Sequence, residues 1–581
     1  MSDNTMSSPP EYIKIPEKFG EQTIDVIYYR STPPEAPLET KLPGTGIYPP
    51  FDPHTYVENG IRVSQDVGVK LRDGITIYAD VFRPDGPLGE TDLPAIISWA
   101  YYGKRSNLPG QDNFTLGVPA NSCSNMCMFE GPDPAYWCKQ GYAVINVDGR
   151  GVGNSEGNFG WLGQQDAEDC YDTIEWTASQ PWSNGRVGMF GNSALAMAQW
   201  TAAALEPPHL TCIAPWEGGT DLYREYNTDN GIPAIAFNRF IWSVFRGRGY
   251  IIDNVAMVEE YPLMNAYWES KIPDYEKITI PVYLTAGWQH IHLRGAMNAF
   301  MNIRSEKKWL RAHRDFEWPD SYMWGNLEDL RRFFDRYLKD IRNGWECTPP
   351  VRIDVMDAYD YDFQVARPER EFPLARTQYQ KLYLDAAGGT MGAGPVATVS
   401  QASYDAKEGR TTFDLTFHED VELTGYSKVR LWVEADGSDE MDLFITLMKL
   451  DENGEFLPAN VMGQPHPGSS GKLRVSQREL DPHLSTDFQP VQAHRRREKL
   501  KPGEIVPVDI AIYPFSRIWH KGQTLRLQIA GRYFREGWFE PFAWDLENKG
   551  RHIIHTGGRY ESYLQIPVIP PKYQAGGYVY R

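Results

Sequence analysis

Between residues 61 and 345 the chain alternates short apolar runs with stretches of helical periodicity. GITIYADVFRP, LPAIISWAYYG, ITIPVYLTAGW and KKWLRAH read as strands from their β-branched and aromatic content. PAYWCKQGYAVINVDGRG reads as a helix end followed by a buried strand, and LTCIAPWEGG as a further strand. DAEDCYDTIEWTASQPWSNGRVGMFGNS supplies a helix, a turn and another buried strand. Short buried runs with helices between them specify a doubly wound, mostly parallel sheet covered on both faces. LEDLRRFFDRYLKDIRNG closes this unit as an amphipathic helix with Phe333, Phe334, Tyr337 and Leu338 on its inner face.

The pattern changes on either side of this unit and once within it. Residues 1–60 are rich in proline and polar residues, as in RSTPPEAPLETKLPGTGIYPPFDPHTY, and predict an extended surface arm with little regular structure. Residues 216–277 are helical and aromatic and interrupt the strand series, which predicts a cap dividing the core into residues 61–215 and 278–348. From residue 349 to 581 the period becomes two, in KLYLDA, KVRLWVEAD, DLFITLMKL, IVPVDIAIYPFSRIW and TLRLQIAG. Turn residues separate these runs, so an all-β sandwich is expected there.

Composition narrows the function. The 581 residues exceed what one core can hold, and 18 Trp, 33 Tyr and 25 Phe favour large packed sheets and an aromatic-lined pocket. A formal charge of −19 repels phosphate backbones, so no nucleic-acid partner is expected. Of the six cysteines only Cys123 and Cys127 lie close together, with no second pair at zinc spacing, so neither metal nor cofactor is expected. The start MSDNTMSSPPEYIKIPEKFG lacks the basic and apolar parts of a signal peptide, and no run of about 18 apolar residues occurs. The expectation is a cytoplasmic protein without a membrane partner, acting on a small molecule, with the arm and the sandwich compatible with a homodimer.

RVGMFGNSALAMAQW is the segment richest in chemistry. Ser193 stands where a buried strand turns sharply into a helix, with Gly191 and Ala194 small enough to permit that turn. Such a turn exposes the hydroxyl above the sheet edge, and the helix N-terminus offers backbone N–H groups to an oxyanion. An N-cap serine is the alternative. His313, at the carboxyl end of the last predicted strand, is the expected base for the Ser193 proton.

These stretches resemble the cocaine-esterase/X-prolyl dipeptidyl-peptidase group of α/β hydrolases. The resemblance is carried by DGRGVGNSEGNF, DTIEWTASQPWSNGRVGMFGNS, APWEGGTDLYRE, HLRGA, FFDRYLKDIRNG and PVDIAIYPFSRIWHKGQTLRLQIAG, and it covers nearly everything from residue 60 onward. It implies an α/β-hydrolase domain, a helical cap and a jelly-roll C-terminal domain. It also implies an oxyanion site made by Tyr102 of AYYGK and the backbone N–H of Ala194. Tyr101, Trp216 and Trp288 are the aromatic residues expected to bind substrate.

Two departures from the group stand out. Ala194 replaces the tyrosine that usually follows the nucleophile, and the acid expected after the strand ending in GW is absent. The stretch TAGWQHIHLRG holds His290 at that position and contains no carboxylate. Glu217, at the preceding strand edge, is the candidate replacement acid. The expected activity is that of a serine acyl hydrolase working through acyl-Ser193 on an ester, amide or lactone of a small hydrophobic molecule. Non-hydrolytic acid–base chemistry in a biosynthetic pathway, with His290 and His313 as proton shuttles, is the alternative that the missing acid raises, and a silent binding protein is the third. No acidic subsite for a peptide amino group is identified, so X-Pro exopeptidase activity is not expected.

Overall fold

The computed structural model describes residues 11–36, 48–105, 117–118, 122–461, 464–533 and 543–570. Its first element corrects the expected arm: β1 (Tyr12–Phe19) and β2 (Gln22–Arg30) form an antiparallel hairpin turning at Gly20. The alternation in YIKIPEKF and QTIDVIYYR outweighs the proline content, because Pro16 sits on the edge strand, where no ladder donor is lost. Residues 1–10 and 37–47 of the expected arm lie outside the described residues.

The central sheet is built from β3 (His54–Glu58), β4 (Ile61–Lys70), β5 (Thr76–Pro84), β6 (Leu93–Ala100), β7 (Ala143–Asp148), β8 (Ser183–Asn192) and β9 (Leu210–Trp216). In the cap, β10 (Tyr250–Ile252) pairs back onto β2 and ties the N-terminal hairpin to it. The sheet resumes with β11 (Val282–Gly287), β12 (Lys308–His313), β13 (Val351–Met356) and β14 (Asp362–Glu369). Its order is β3-β4-β5-β7-β6-β8-β9-β11-β12-β13-β14, parallel from β7 to β13 and antiparallel at both ends. Thus the hydrolase sheet runs past residue 349, where the sequence pattern places the start of the sandwich.

Helices α1 (Gln164–Ala178) and α2 (Ser193–Ala203) cover one face of the sheet. The cap contributes α3 (Ile235–Trp242) and α4 (Asn254–Glu260). After β11 and β12 come α5 (Leu293–Asn302), the short α6 (Glu317–Tyr322) and α7 (Trp324–Leu338). Phe333, Phe334, Tyr337 and Leu338 of α7 are buried against the second face, as the helical pattern predicts.

In the C-terminal sandwich, the strands Val421–Asp436 and Val506–Trp519 pair antiparallel over most of their length. Leu431, Val433, Ile510, Ile512 and Leu527 turn inward to a core of their own. This domain also grips the cap: Arg474 N–H donates to the Asn230 carbonyl at 3.1 Å, and Lys472 pairs with Asp229. Among the described residues no helix is long and apolar enough to cross a membrane.

Candidate active site

Ser193 has φ 54°, a left-handed conformation that costs a non-glycine residue about 1–3 kcal/mol and persists only where its surroundings enforce it. The enforcement is visible. The Asn192 N–H donates to the Glu130 carbonyl at 3.0 Å, and the Ser321 hydroxyl of α6 donates to Asn192 Oδ1 at 2.7 Å. A Cβ on Gly191 would stand 2.6 Å from Leu195 Cβ, so only glycine lets α2 begin this close to β8. Ser193 therefore sits directly after the carboxyl end of β8, where it lines a cavity.

The imidazole in contact with that hydroxyl is His292, whose Nε2 lies 3.0 Å from Ser193 Oγ. The structure corrects the expected pairing with His313. On its far side His292 Nδ1 meets the Tyr226 hydroxyl at 2.5 Å. Tyr226 in turn packs onto Gly219, where a Cβ would lie 2.0 Å from its hydroxyl. The second glycine of PWEGG thus makes room for the phenol that holds the histidine.

His313 is occupied elsewhere. Its Nε2 forms an ion pair with Glu217 Oε1 at 2.8 Å and lies 3.5 Å from Oδ2 of Asp320, whose carboxylate accepts one hydrogen bond from Arg311 on each oxygen. Burial lowers the His313 pKa, but the charges of Asp320 and Glu217 outweigh it and hold the ring above its ordinary value. Glu217 is pushed up by burial and pulled down further by His313 and His290, so it stays below the usual carboxylate range. His313 and Glu217 are accordingly a buried ion pair beneath the site. The ion pairs of Glu217 run to His313 and His290, not to the histidine that contacts Ser193.

A different carboxylate approaches His292. Glu317, the first residue of α6, places Oε2 3.8 Å from His292 Nε2 and Oε1 3.3 Å from His290 Nε2. Relative to the expected arrangement the two loops have exchanged chemistry. The histidine follows β11, where the acid is expected, and the acid follows β12, where the histidine is expected. His290 stands between two carboxylates, with Nδ1 3.7 Å from Glu217 Oε2. Burial lowers its pKa, yet Glu317 and Glu217 prevail and raise it. His292, buried and beside His290, is pushed well below the ordinary histidine value and is neutral at pH 7. Glu317 is raised by burial despite His290.

Tyr102 faces Ser193 and is wedged between the rings of Phe129 and Phe245, 5.5 and 5.7 Å away. With Ser193, Ala194 and His292 it lines a small, mostly apolar cavity that also includes Trp161, Met197, Leu222, Phe237, Ile241 and Trp242. The three aromatics expected to bind substrate divide. Trp288 lines a second cavity beside His290, between the cap and the sandwich. Tyr101 does not line the cavity: its buried hydroxyl donates to Asp166 Oδ2 at 2.5 Å. Trp216 turns to the opposite face of the sheet and packs edge-on against Phe190 and Tyr283 under α7.

Residues that sequence reasoning missed are His292, Tyr226 and Glu317. HLRGA and DLYREYN stand out only as matched stretches, and loop side chains carry no periodicity that reveals their direction. Among the described residues, His290, His292 and Glu317 also bring potential metal-ligating atoms within 4.8 Å of one another, a grouping that cysteine spacing does not detect.

Comparison with known proteins bears on the fold and the family. The family model for X-Pro dipeptidyl-peptidase (S15 family) matches residues 73–243, and that for the X-Pro dipeptidyl-peptidase C-terminal non-catalytic domain matches residues 343–565. A CocE/NonD family hydrolase from Staphylococcus aureus is 35% identical with a TM-score of 0.83, over 88% of this chain and 94% of its own. Cocaine esterase from Rhodococcus sp. (strain MB1 Bresler) is 25% identical over 395 residues, 57% of this chain and 64% of that enzyme. An α-amino acid ester hydrolase shares the fold at 17% identity, with a TM-score of 0.65 over 90% of this chain and 99% of its own.

Proposed function

Because the chain belongs to the CocE/NonD family of α/β hydrolases, and is thus an enzyme of the esterase/peptidase kind, we propose that it acts through an acyl-Ser193 intermediate on a small, largely hydrophobic ester, amide or lactone. The observation that carries this reading is the 3.0 Å contact between Ser193 Oγ and His292 Nε2 at a strained strand-to-helix turn.

Neutral His292 donates from Nδ1 to the Tyr226 oxygen, which leaves the Nε2 lone pair facing the serine hydroxyl. Ser193 Oγ attacks the substrate carbonyl carbon as its proton passes to Nε2. The oxyanion forms between the Ala194 N–H, at the start of α2, and the Tyr102 hydroxyl. Glu317 then faces a newly charged imidazolium at 3.8 Å, in a buried setting where that charge needs a partner. Collapse of the intermediate expels the leaving group, which takes the proton from Nε2, and water repeats the sequence to release the acid. The cavity at Ser193, lined by Trp161, Leu222, Phe237 and Trp242, favours a compact apolar acyl group.

A fluorophosphonate probe tests this reading. The expected result is one adduct on the peptide containing Ser193, absent in Ser193→Ala, together with turnover of 4-nitrophenyl esters that falls as the acyl chain lengthens. An intact, folded protein that is neither labelled at Ser193 nor active on such esters would refute it.

A further inference from the structure

His290, His292 and Glu317 converge more closely than acyl transfer requires. All three are buried, and their nearest ligand atoms fall within 4.8 Å of one another. His290 Nε2 lies 3.3 Å from Glu317 Oε1, His292 Nε2 lies 3.8 Å from Glu317 Oε2, and Ser193 Oγ lies 3.0 Å from His292 Nε2. Around a tetrahedral cation with bonds of about 2.0–2.1 Å, neighbouring ligand atoms stand about 3.3 Å apart. The histidine–glutamate separations of 3.3 and 3.8 Å, one to each carboxylate oxygen, lie at and just above that edge, so a turn of the Glu317 carboxylate and small shifts of the rings bring these donors onto one ion.

The surroundings are those of a built site. On the remote nitrogens, His290 Nδ1 accepts from the His292 backbone N–H at 3.4 Å and His292 Nδ1 meets the Tyr226 hydroxyl. Both Nε2 atoms face Glu317. Glu317 Oε2 is buried without a hydrogen-bond partner, and a cation would supply one. Two imidazoles and one carboxylate form a donor set suited to zinc, with a fourth position open.

We propose that His290, His292 and Glu317 bind one zinc-class divalent cation, with Ser193 Oγ or solvent in the fourth position, and that the bound cation switches off the serine. The binding site stands on its own geometry, whereas the effect on Ser193 rests on the acyl-transfer reading above. The His292 Nε2 lone pair serves either the cation or the serine proton, never both. Metal-loaded and acyl-transfer-competent forms are therefore mutually exclusive, and chelation restores the second.

The test uses full-length protein stripped with EDTA and then titrated with Zn2+ or Co2+ alone. One equivalent of Zn2+ is expected to bind by calorimetry, and Co2+ is expected to give the intense visible absorption of a four-coordinate site. His290→Ala and Glu317→Gln should each raise the zinc Kd more than about a hundredfold, and Tyr226→Phe about 10–100-fold. Zinc should suppress fluorophosphonate labelling of Ser193 and EDTA should restore it. Absence of one-equivalent binding, or a weak octahedral cobalt spectrum in the wild-type protein, overturns the site even if the variants fail to fold. Stoichiometric binding with unchanged or faster labelling overturns the switch. A metal-free protein that never labels, but binds one zinc through these residues, supports the site and refutes the acyl-transfer reading separately.

Discussion

Glu217 Oε1 and His313 Nε2 meet at 2.8 Å beneath the candidate site, the carboxylate inaccessible to solvent and the imidazole nearly so. The pair connects the end of β12 to the residue after β9 across the intervening β11, so it braces the three strand ends from which the site loops emerge. It also engages His313 Nε2, the atom that would have to accept the serine proton, with a carboxylate instead of Ser193.

This pair predicts a specific stability loss. Truncating one member leaves the other as an uncompensated buried charge, which costs about 3–5 kcal/mol. His313→Ala and Glu217→Ala should each lower the thermal midpoint markedly, and the double variant should lose less than the sum. Differential scanning calorimetry of the four proteins checks this.

The same pair sets a pH dependence with a definite sign. Asp320 and Glu217 overcome the effect of burial and raise the folded pKa of His313, with Arg311 opposing them and Asp354 also nearby. A raised histidine stabilises the fold fully below its unfolded value of about 6.5 and loses that contribution as pH rises through the higher folded value. Glu217 is held low, so its contribution is present above about 4.3 and disappears as pH falls through the depressed value. The midpoint difference between wild type and His313→Gln should be greatest at about pH 5–6.5 and shrink toward pH 9.

Under the acyl-transfer reading Tyr226 takes the orienting role that a carboxylate fills in the Ser-His-Asp triad. Tyr226→Phe removes the hydroxyl that meets His292 Nδ1 while keeping the ring against Phe237. Under the acyl-transfer reading kcat should fall about 100-fold or more with a much smaller change in KM. Steady-state kinetics on a short-chain ester in the presence of EDTA measures the split.

Tyr102 offers a separate prediction because, under the acyl-transfer reading, its contribution belongs to the transition state. Tyr102→Phe keeps the stacking with Phe129 and Phe245 and removes only the hydroxyl. The expected loss is about 10²–10³ in kcat, with substrate binding nearly preserved. An equal loss of binding and turnover would mean that the hydroxyl contacts the ground state instead.

Much of this arrangement was legible in the chain. The parallel strands, α7 and the sandwich announce themselves through period and burial, and Gly191-Asn192-Ser193-Ala194 reveals the tight turn by its small residues. Trp216 illustrates the limit. Its place at a strand end is readable, but which face of a doubly covered sheet it meets is not, because both faces are apolar. The loop TAGWQHIHLRG offers two histidines two residues apart, and only the helix start at Leu293 and the phenol of Tyr226 select His292 for the serine. Glu317 escapes notice because its approach to the site depends on the turn between β12 and α6. The hairpin β1–β2 is hidden by a proline-rich neighbourhood although its own residues alternate.

The claim on which this account turns is that His292, not His313, takes the proton of Ser193. The most direct measurement is the rate of fluorophosphonate labelling at Ser193 in metal-free His292→Ala and His313→Gln, each checked for native circular dichroism. The account predicts a fall of at least about a thousandfold for His292→Ala and a rate within about tenfold of wild type for His313→Gln. Rapid labelling of His292→Ala together with a silent His313→Gln would contradict it.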